Sequence, residues 1–254
     1  MTLILDYPLL LLFPTAFVVL ALAAWSGTWV AFHRATIASE SRGDFDVIQT
    51  ATLTLLGLII GFTFSMALNR YDQRKNLEEE EANAIGTAYL RAELLPAEST
   101  TRLKAVLKQY TSERARLYVT RDVAEMAALN ASAGKLQAEM WAVVRDVAAA
   151  QPTPVHVLAV TSINDVINSQ GYTQAAWWNR IPHAAWILML MLAVCANFLV
   201  GLGARRPGVK LLLVAMFPLI IAGAFFLIAD IDAPRSGVIR VAPMNLQALD
   251  ASFR

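Results

Sequence analysis

The sequence predicts an all-α membrane protein: four transmembrane helices in two pairs, flanking a helical extramembrane domain. Three observations carry that prediction. Four apolar stretches, at about residues 9–32, 47–68, 184–204 and 209–229, are each long enough to cross a bilayer. They contain no Asp, Glu, Arg or His, and their one lysine, Lys210, sits at the edge of the fourth. An ionised side chain at mid-bilayer costs at least ~2.5–3.5 kcal/mol, so this exclusion is what a membrane demands. Finally, 57% of the 254 residues are apolar and only 16% charged, whereas soluble domains carry about 25% charged residues.

The first span carries Pro14 in its opening turns, where a proline costs a helix little, and Trp25 and Trp29 mark its far end. Residues Met1–Pro8 hold no Lys or Arg, so the basic start of a secretory signal is missing and the span is read as retained. The loop His33–Asp46 is short and polar. The second span does not stop at the membrane. No proline occurs between Gly57 and Leu95, and Asn69–Glu93 is rich in helix formers. One helix over Val47–Glu93 would reach roughly 70 Å at 1.5 Å per residue, and Pro96 ends it.

Further helices fill the middle. The next begins behind Pro96 and runs to about Thr120, with Leu103, Val106, Leu107, Tyr110, Leu117 and Tyr118 forming its apolar face. Asp122 and Glu125 have the spacing of a capping box and open a helix to about Ala149. Pro152 and Pro154 break the chain, and a last helix from Val155 leads through Trp177 and Trp178 to the third span. Spans three and four form a hairpin joined by Arg205–Lys210, and Pro218 is expected to kink the fourth. The tail, with Pro234 and Pro243, reads as irregular. The expected divisions are 1–68, 69–182, 183–230 and 231–254.

An even number of spans puts both termini and the middle on one side. The short loops hold Arg34, Arg42, Arg205, Arg206 and Lys210, so the positive-inside rule makes them cytoplasmic and the middle extracytoplasmic. Arg70, Arg74, Lys75 and Arg180 flank the membrane on the other side and blunt that signal.

The residues that could carry chemistry concentrate on the second span. At ~100° per residue, Thr50, Thr54, Gly57, Gly61 and Ser65 fall on one stripe. Such a seam either packs closely against another helix, as Gly57 and Gly61 suggest, or lines a pore in a ring of subunits. Ile60, Phe62 and Phe64 are the candidates for an apolar constriction. Where the helix leaves the bilayer, Arg70, Asp72 and Arg74 are expected to anchor at the interface, with Arg70 or Arg74 pairing with Asp230 or Asp232 at the end of span four. Glu78–Glu81 is read as a solvated acidic face, or as a ring favouring cations in a symmetric assembly. Asn197, deep in span three, is expected to bond across helices.

Other classes fall away. A net charge of +1 argues against nucleic acid as partner. No H-E-x-x-H, G-x-S-x-G or C-x-x-C occurs, and His33, His156 and His183 are dispersed, so no enzyme, metal or cofactor is expected. The single Cys195 can form no disulfide within one chain.

Gly57-Leu-Ile-Ile-Gly-Phe-Thr-Phe-Ser65, Asn69-Arg-Tyr-Asp-Gln-Arg74 and Glu81-Ala-Asn-Ala-Ile-Gly-Thr-Ala-Tyr-Leu-Arg91 resemble a bacterial bestrophin-like membrane family of unknown function. Ile163-Asn-Asp165 and Asp230-Ile-Asp-Ala-Pro-Arg-Ser-Gly237 fit it too, so the likeness covers nearly the whole chain. The stalk residues it marks include Glu80, Glu81, Asn83, Gly86 and Arg91. Bestrophins are pentameric anion channels whose second span lines an apolar neck. The resemblance therefore implies a homo-oligomer in the bacterial inner membrane, with lipid and small inorganic ions as partners. It also implies a cytosolic middle, against the loop charges, and no acidic calcium clasp is evident. Two functions follow: an oligomeric ion channel, or a non-conducting scaffold or sensor whose helical middle binds a partner.

Overall fold

The computed structural model describes residues 11–33, 42–204 and 207–253, and it is helical with no strand among them. The α-helices, in chain order, are α1 (Leu12–His33), α2 (Arg42–Arg91), α3 (Ala97–Val119), α4 (Val123–Ala150), α5 (Pro154–Trp178), α6 (His183–Gly203), α7 (Pro207–Asp232) and α8 (Met244–Ser252). Among the described residues, four helices are long and apolar enough to cross a membrane. The loop residues Arg34, Arg205 and Arg206 lie outside the described residues.

The long second helix is one element. It starts five residues before the apolar run, at Arg42, and passes Asn69 without a break to Arg91. A 3₁₀ turn, Ala92–Leu94, then ends it ahead of Pro96. Leu95 is extended (φ −93°, ψ 163°), the conformation a following proline imposes. Thr100 ties the turn down by donating its hydroxyl to the carbonyls of Ala92 and Leu95, both at 2.9 Å.

The chain divides into two compact units. The first, Met1–Asn69 with Arg180–Ile239, holds α1, the start of α2, α6 and α7. Its apolar centre is Leu20, Leu56, Met189, Ala193, Ala196, Ile221 and Phe225. Helix α1 lies against both α6 and α7. The α1–α6 approach is backbone on backbone: a Cβ at Gly27 would overlap the Phe198 carbonyl oxygen, and one at Gly201 would overlap that of Ala24. Close approach by small residues is how helices gain contact in lipid, where no hydrophobic effect drives them together. Asn197 is fully buried, but its Nδ2 donates to Ala193 O (2.7 Å) on its own helix, a bond within the helix rather than the expected one across helices.

The second unit, Arg70–Asn179 with Arg240–Arg254, holds the rest of α2, then α3, α4, α5 and α8. Its core runs through Ile85, Leu103, Leu107, Tyr110, Met140, Val144, Ile163 and Val166. Asp122 caps α4 by accepting from Ala124 N at 2.9 Å. The capping box is only half made, because Glu125 turns instead to Arg116 (2.6 Å) and Thr120. The tail is not wholly irregular: Met244–Ser252 is helical, for reasons of docking given below.

Candidate functional site

Helix α2 has one packed face and one open face. Leu56, Thr63 and Ala67 are buried in the first unit, and Arg74, Glu78, Glu81 and Ile85 continue the same stripe in the second. About 140° around the helix, at ~100° per residue, Thr50, Thr54, Gly57, Gly61 and Ser65 are all exposed. A Cβ added at Gly57 or Gly61 would meet no atom within 4 Å. Among the described residues, then, this glycine pair packs against nothing; the close helix crossing is made by Gly27 and Gly201 instead. Three hydroxyls and two bare backbone segments thus form an open, small-residue face on an otherwise apolar span.

The expected constriction residues separate. Phe62 is 63% exposed and Phe64 half-buried, whereas Ile60 is turned inward and packs against the Leu56–Phe225 cluster. Leu58 and Leu68, exposed beside the seam, are large apolar side chains that sequence reasoning passed over. The stripe continues along α2 as exposed Asp72, Lys75 and Glu79, so it carries both signs of charge.

The aspartates at the end of α7 accept backbone N–H groups. Buried Asp230 accepts Val238 N at 2.7 Å and Ile239 N at 2.8 Å, folding the Asp230–Gly237 segment over itself. Gly237 is required there, since a Cβ would run into the Asp230 carbonyl oxygen. Asp232 receives Ile181 N at 3.1 and 3.3 Å and so fixes the entry to α6. Of the basic residues expected near them, Arg70 is half-buried and Arg74 buried.

The acidic run Glu78–Glu81 is not a solvated face. Glu79 and Glu80 are exposed, but Glu78 and Glu81, three apart and on the packed stripe, are buried. Glu81, 0% exposed, accepts Arg114 Nε, Arg114 Nη2 at 3.0 Å and Thr173 Oγ1 at 3.2 Å. Arg114 is 1% exposed, and its guanidinium lies 5.7 Å from the Trp177 ring centre and 6.0 Å from that of Tyr118. Burial works against the charge on Arg114, but the Glu81 carboxylate outweighs it and holds the arginine above its usual pKa. Burial first, and then the Glu81 charge, push the hydroxyls of Tyr110 and Tyr118 well above the ordinary tyrosine range. A buried pair of this kind pins three helices, α2, α3 and α5, at one point. The signal was present in the sequence: Arg114 stands among Leu107, Tyr110, Leu117 and Tyr118 on the apolar face of α3.

The other stalk residues divide by the same face rule. Glu80 and Asn83 are exposed, Gly86 lies under Leu249, and Arg91 reaches the Leu158 carbonyl at 3.5 Å. His156 is buried and bonds Gln151 O through Nδ1 at 2.7 Å. Among the described residues no cluster of three His, Cys, Asp or Glu could hold a metal ion.

Comparison with known proteins bears on this arrangement. No curated protein matches the chain. A point-mutant form of a bacterial bestrophin homologue from Klebsiella pneumoniae matches with a TM-score of 0.65 at 13% identity, over 96% of each chain. A second point-mutant form of that homologue matches at 0.67 and 12%, over 95% of this chain and 93% of that one. A further point mutant, described only as a membrane protein, matches at 0.64 and 14%, over 97% and 96%. Identities this low speak for the fold alone. The bestrophin-like domain, however, is matched in sequence over residues 18–246, from the first span into the C-terminal helix, and the chain therefore belongs to the bestrophin-like family.

Proposed function

We propose that this protein is an oligomeric ion channel in which the open face of α2 lines the conducting path. The observation that carries the reading is the exposed seam Thr50, Thr54, Gly57, Gly61 and Ser65, opposite the face that α2 uses for packing. Hydroxyls and bare backbone suit ions and water, while lipid needs neither. In a ring of copies, the seam faces the axis and Phe62 and Phe64, with Leu58 and Leu68, narrow it. Apolar constrictions of this kind gate by dewetting. The ring is a homo-oligomer, a pentamer by analogy with bestrophins, and the same analogy makes the permeant ion an anion. The membrane is the bacterial inner membrane. The loop arginines favour an extracytoplasmic second unit, and bestrophins the reverse.

Planar-bilayer recording of the purified oligomer tests the proposal. Currents that change with Phe62→Ala or Phe64→Ala, and a reversal potential set by the anion gradient, are expected. Silence from a well-folded oligomer across salts and voltages refutes conduction, and a cation-set reversal potential refutes the anion assignment. The competing reading is a non-conducting scaffold or sensor, favoured by the unbroken helix from Arg42 to Arg91 that joins a span to the buried Glu81–Arg114 pair. A monomer or dimer in native mass spectrometry supports that reading, because two copies enclose no central path.

A further inference from the structure

Helix α8 spans nine residues, Met244–Ser252, fewer than the ~12–15 an isolated helix needs in water. Its helicity is therefore a product of its dock, and the dock is specific. The carboxylate of Glu78, 1% exposed, accepts Leu246 N at 2.9 Å and Asn245 Nδ2 at 2.7 Å. It thus places a negative group on the unpaired N–H groups of the first turn, the end of a helix that favours an acid. Leu246 is fully buried in the core of the second unit. Leu249 covers Gly86, where an added Cβ would come within 3.4 Å of its Cδ1. Phe253 stacks on Tyr89 with ring centres 4.1 Å apart, Lys104 rests on the same ring at 4.6 Å, and Lys108 donates to the Phe253 carbonyl.

Glu78, Gly86 and Tyr89 all belong to α2. The last helix of the chain is thus laid along the stalk of the second span, on a buried acid at one end and an aromatic pair at the other. Docked, the segment is a helix that satisfies Glu78; undocked, it would be too short to stay folded and would leave a carboxylate in the core without those donors.

We propose that α8 is a releasable clamp on the stalk, which when docked holds residues 78–91 of α2 against α3, and when released frees them. Its bearing on current rests on the channel reading above, because the clamped stalk and the open face belong to one helix. Hydrogen exchange by mass spectrometry on the full-length protein in nanodiscs tests the clamp itself. In the unaltered protein, amides of Leu246–Ser252 should exchange more slowly than in a free peptide of that sequence but faster than those of α4, the mark of local opening. Glu78→Ala should speed exchange at Leu246–Ser252 by about tenfold, the size of a lost helix cap, and speed it also at Ile85–Ala92, with α4 unchanged.

Phe253→Ala, at the half-buried residue that follows α8, should produce the same pattern more weakly, again with α4 unchanged. Amides of α8 as protected as those of α4, or an α8 that opens in Glu78→Ala without any change at Ile85–Ala92, would overturn the clamp. In bilayers, both variants should shift open probability while leaving unit conductance alone. Unaltered open probability in variants that show the exchange change would remove its regulatory role. A silent unaltered protein would instead defeat the channel reading, with the exchange data still deciding the clamp.

Discussion

Arg114→Met removes one half of a fully buried charge pair in the second unit and keeps a long unbranched side chain in its place. Glu81 would keep Thr173 as a donor at 3.2 Å but lose the guanidinium that meets both its oxygens. With the pair 0% and 1% exposed, no solvent reaches the orphaned carboxylate. Breaking a buried pair from one side costs about 3–5 kcal/mol, since the remaining charge has no compensation. For a chain of this length, each kcal/mol lowers the melting temperature by about 2–4 °C, so a fall of roughly 6–20 °C is expected. The double variant Glu81→Gln/Arg114→Met, which leaves no charge stranded, should recover at least half of that loss. Thermal unfolding of the detergent-solubilised protein, followed by circular dichroism for these two variants and for Glu81→Gln alone, gives the comparison. A single variant within about 2 °C of the parent protein, or a double variant worse than the sum of the singles, would refute the claim that this pair pins α2 to α3 and α5.

The glycines of the spans should behave oppositely. Gly201→Ala drives a methyl into the Ala24 carbonyl oxygen and should cost about 1–3 kcal/mol by forcing α1 and α6 apart, whereas Gly57→Ala meets nothing within 4 Å and should leave the melting temperature of a single chain unchanged. Equal effects of the two in a thermal-shift assay would contradict the assigned packing. Asp230→Ala strands the N–H groups of Val238 and Ile239 and should cost about 1–3 kcal/mol, read as faster hydrogen exchange confined to that turn. Tyr110 and Tyr118 titrate above the ordinary value of 10.0 in the folded protein, so the native state holds its protons longer than the unfolded one. Their stabilisation is complete below pH 10 and falls as pH rises beyond it. The tyrosinate absorbance lost in Tyr110→Phe and Tyr118→Phe variants should therefore be the part that appears late and together with unfolding, and an early, reversible contribution from these two would show otherwise.

Much of the fold was legible because bilayer physics is unforgiving. A run free of acids over twenty residues has few alternatives to a spanning helix, and the absence of proline from Gly57 to Leu95 foretold one unbroken α2. What sequence could not show was which face of a helix finds partners. Glu78 and Glu81 sit beside Glu79 and Glu80 in the chain, and only the neighbours α3, α5 and α8 decide which pair is buried. The tail read as irregular because Pro234 and Pro243 interrupt it and its nine helical residues are too few to announce themselves; Glu78, more than 160 residues upstream, makes them a helix. Of the two glycine pairs, the one with the recognisable spacing, Gly57 and Gly61, is open, and the one that packs, Gly27 and Gly201, lies on different spans. Leu58 and Leu68 went unnoticed because apolar residues in a span carry no mark of whether lipid, protein or water lies beside them.

Water at the seam of α2 is the point on which the functional reading turns. In an otherwise cysteine-free protein (Cys195→Ala), single changes Thr54→Cys, Gly61→Cys and Ser65→Cys should react with a membrane-impermeant, water-soluble thiol reagent in reconstituted liposomes and lose current as they do. Ile187→Cys, on the exposed outer side of α6, should not react. Seam cysteines that stay inert while lipid-soluble reagents label them would place that face in the hydrocarbon, and no conducting path could then run along it.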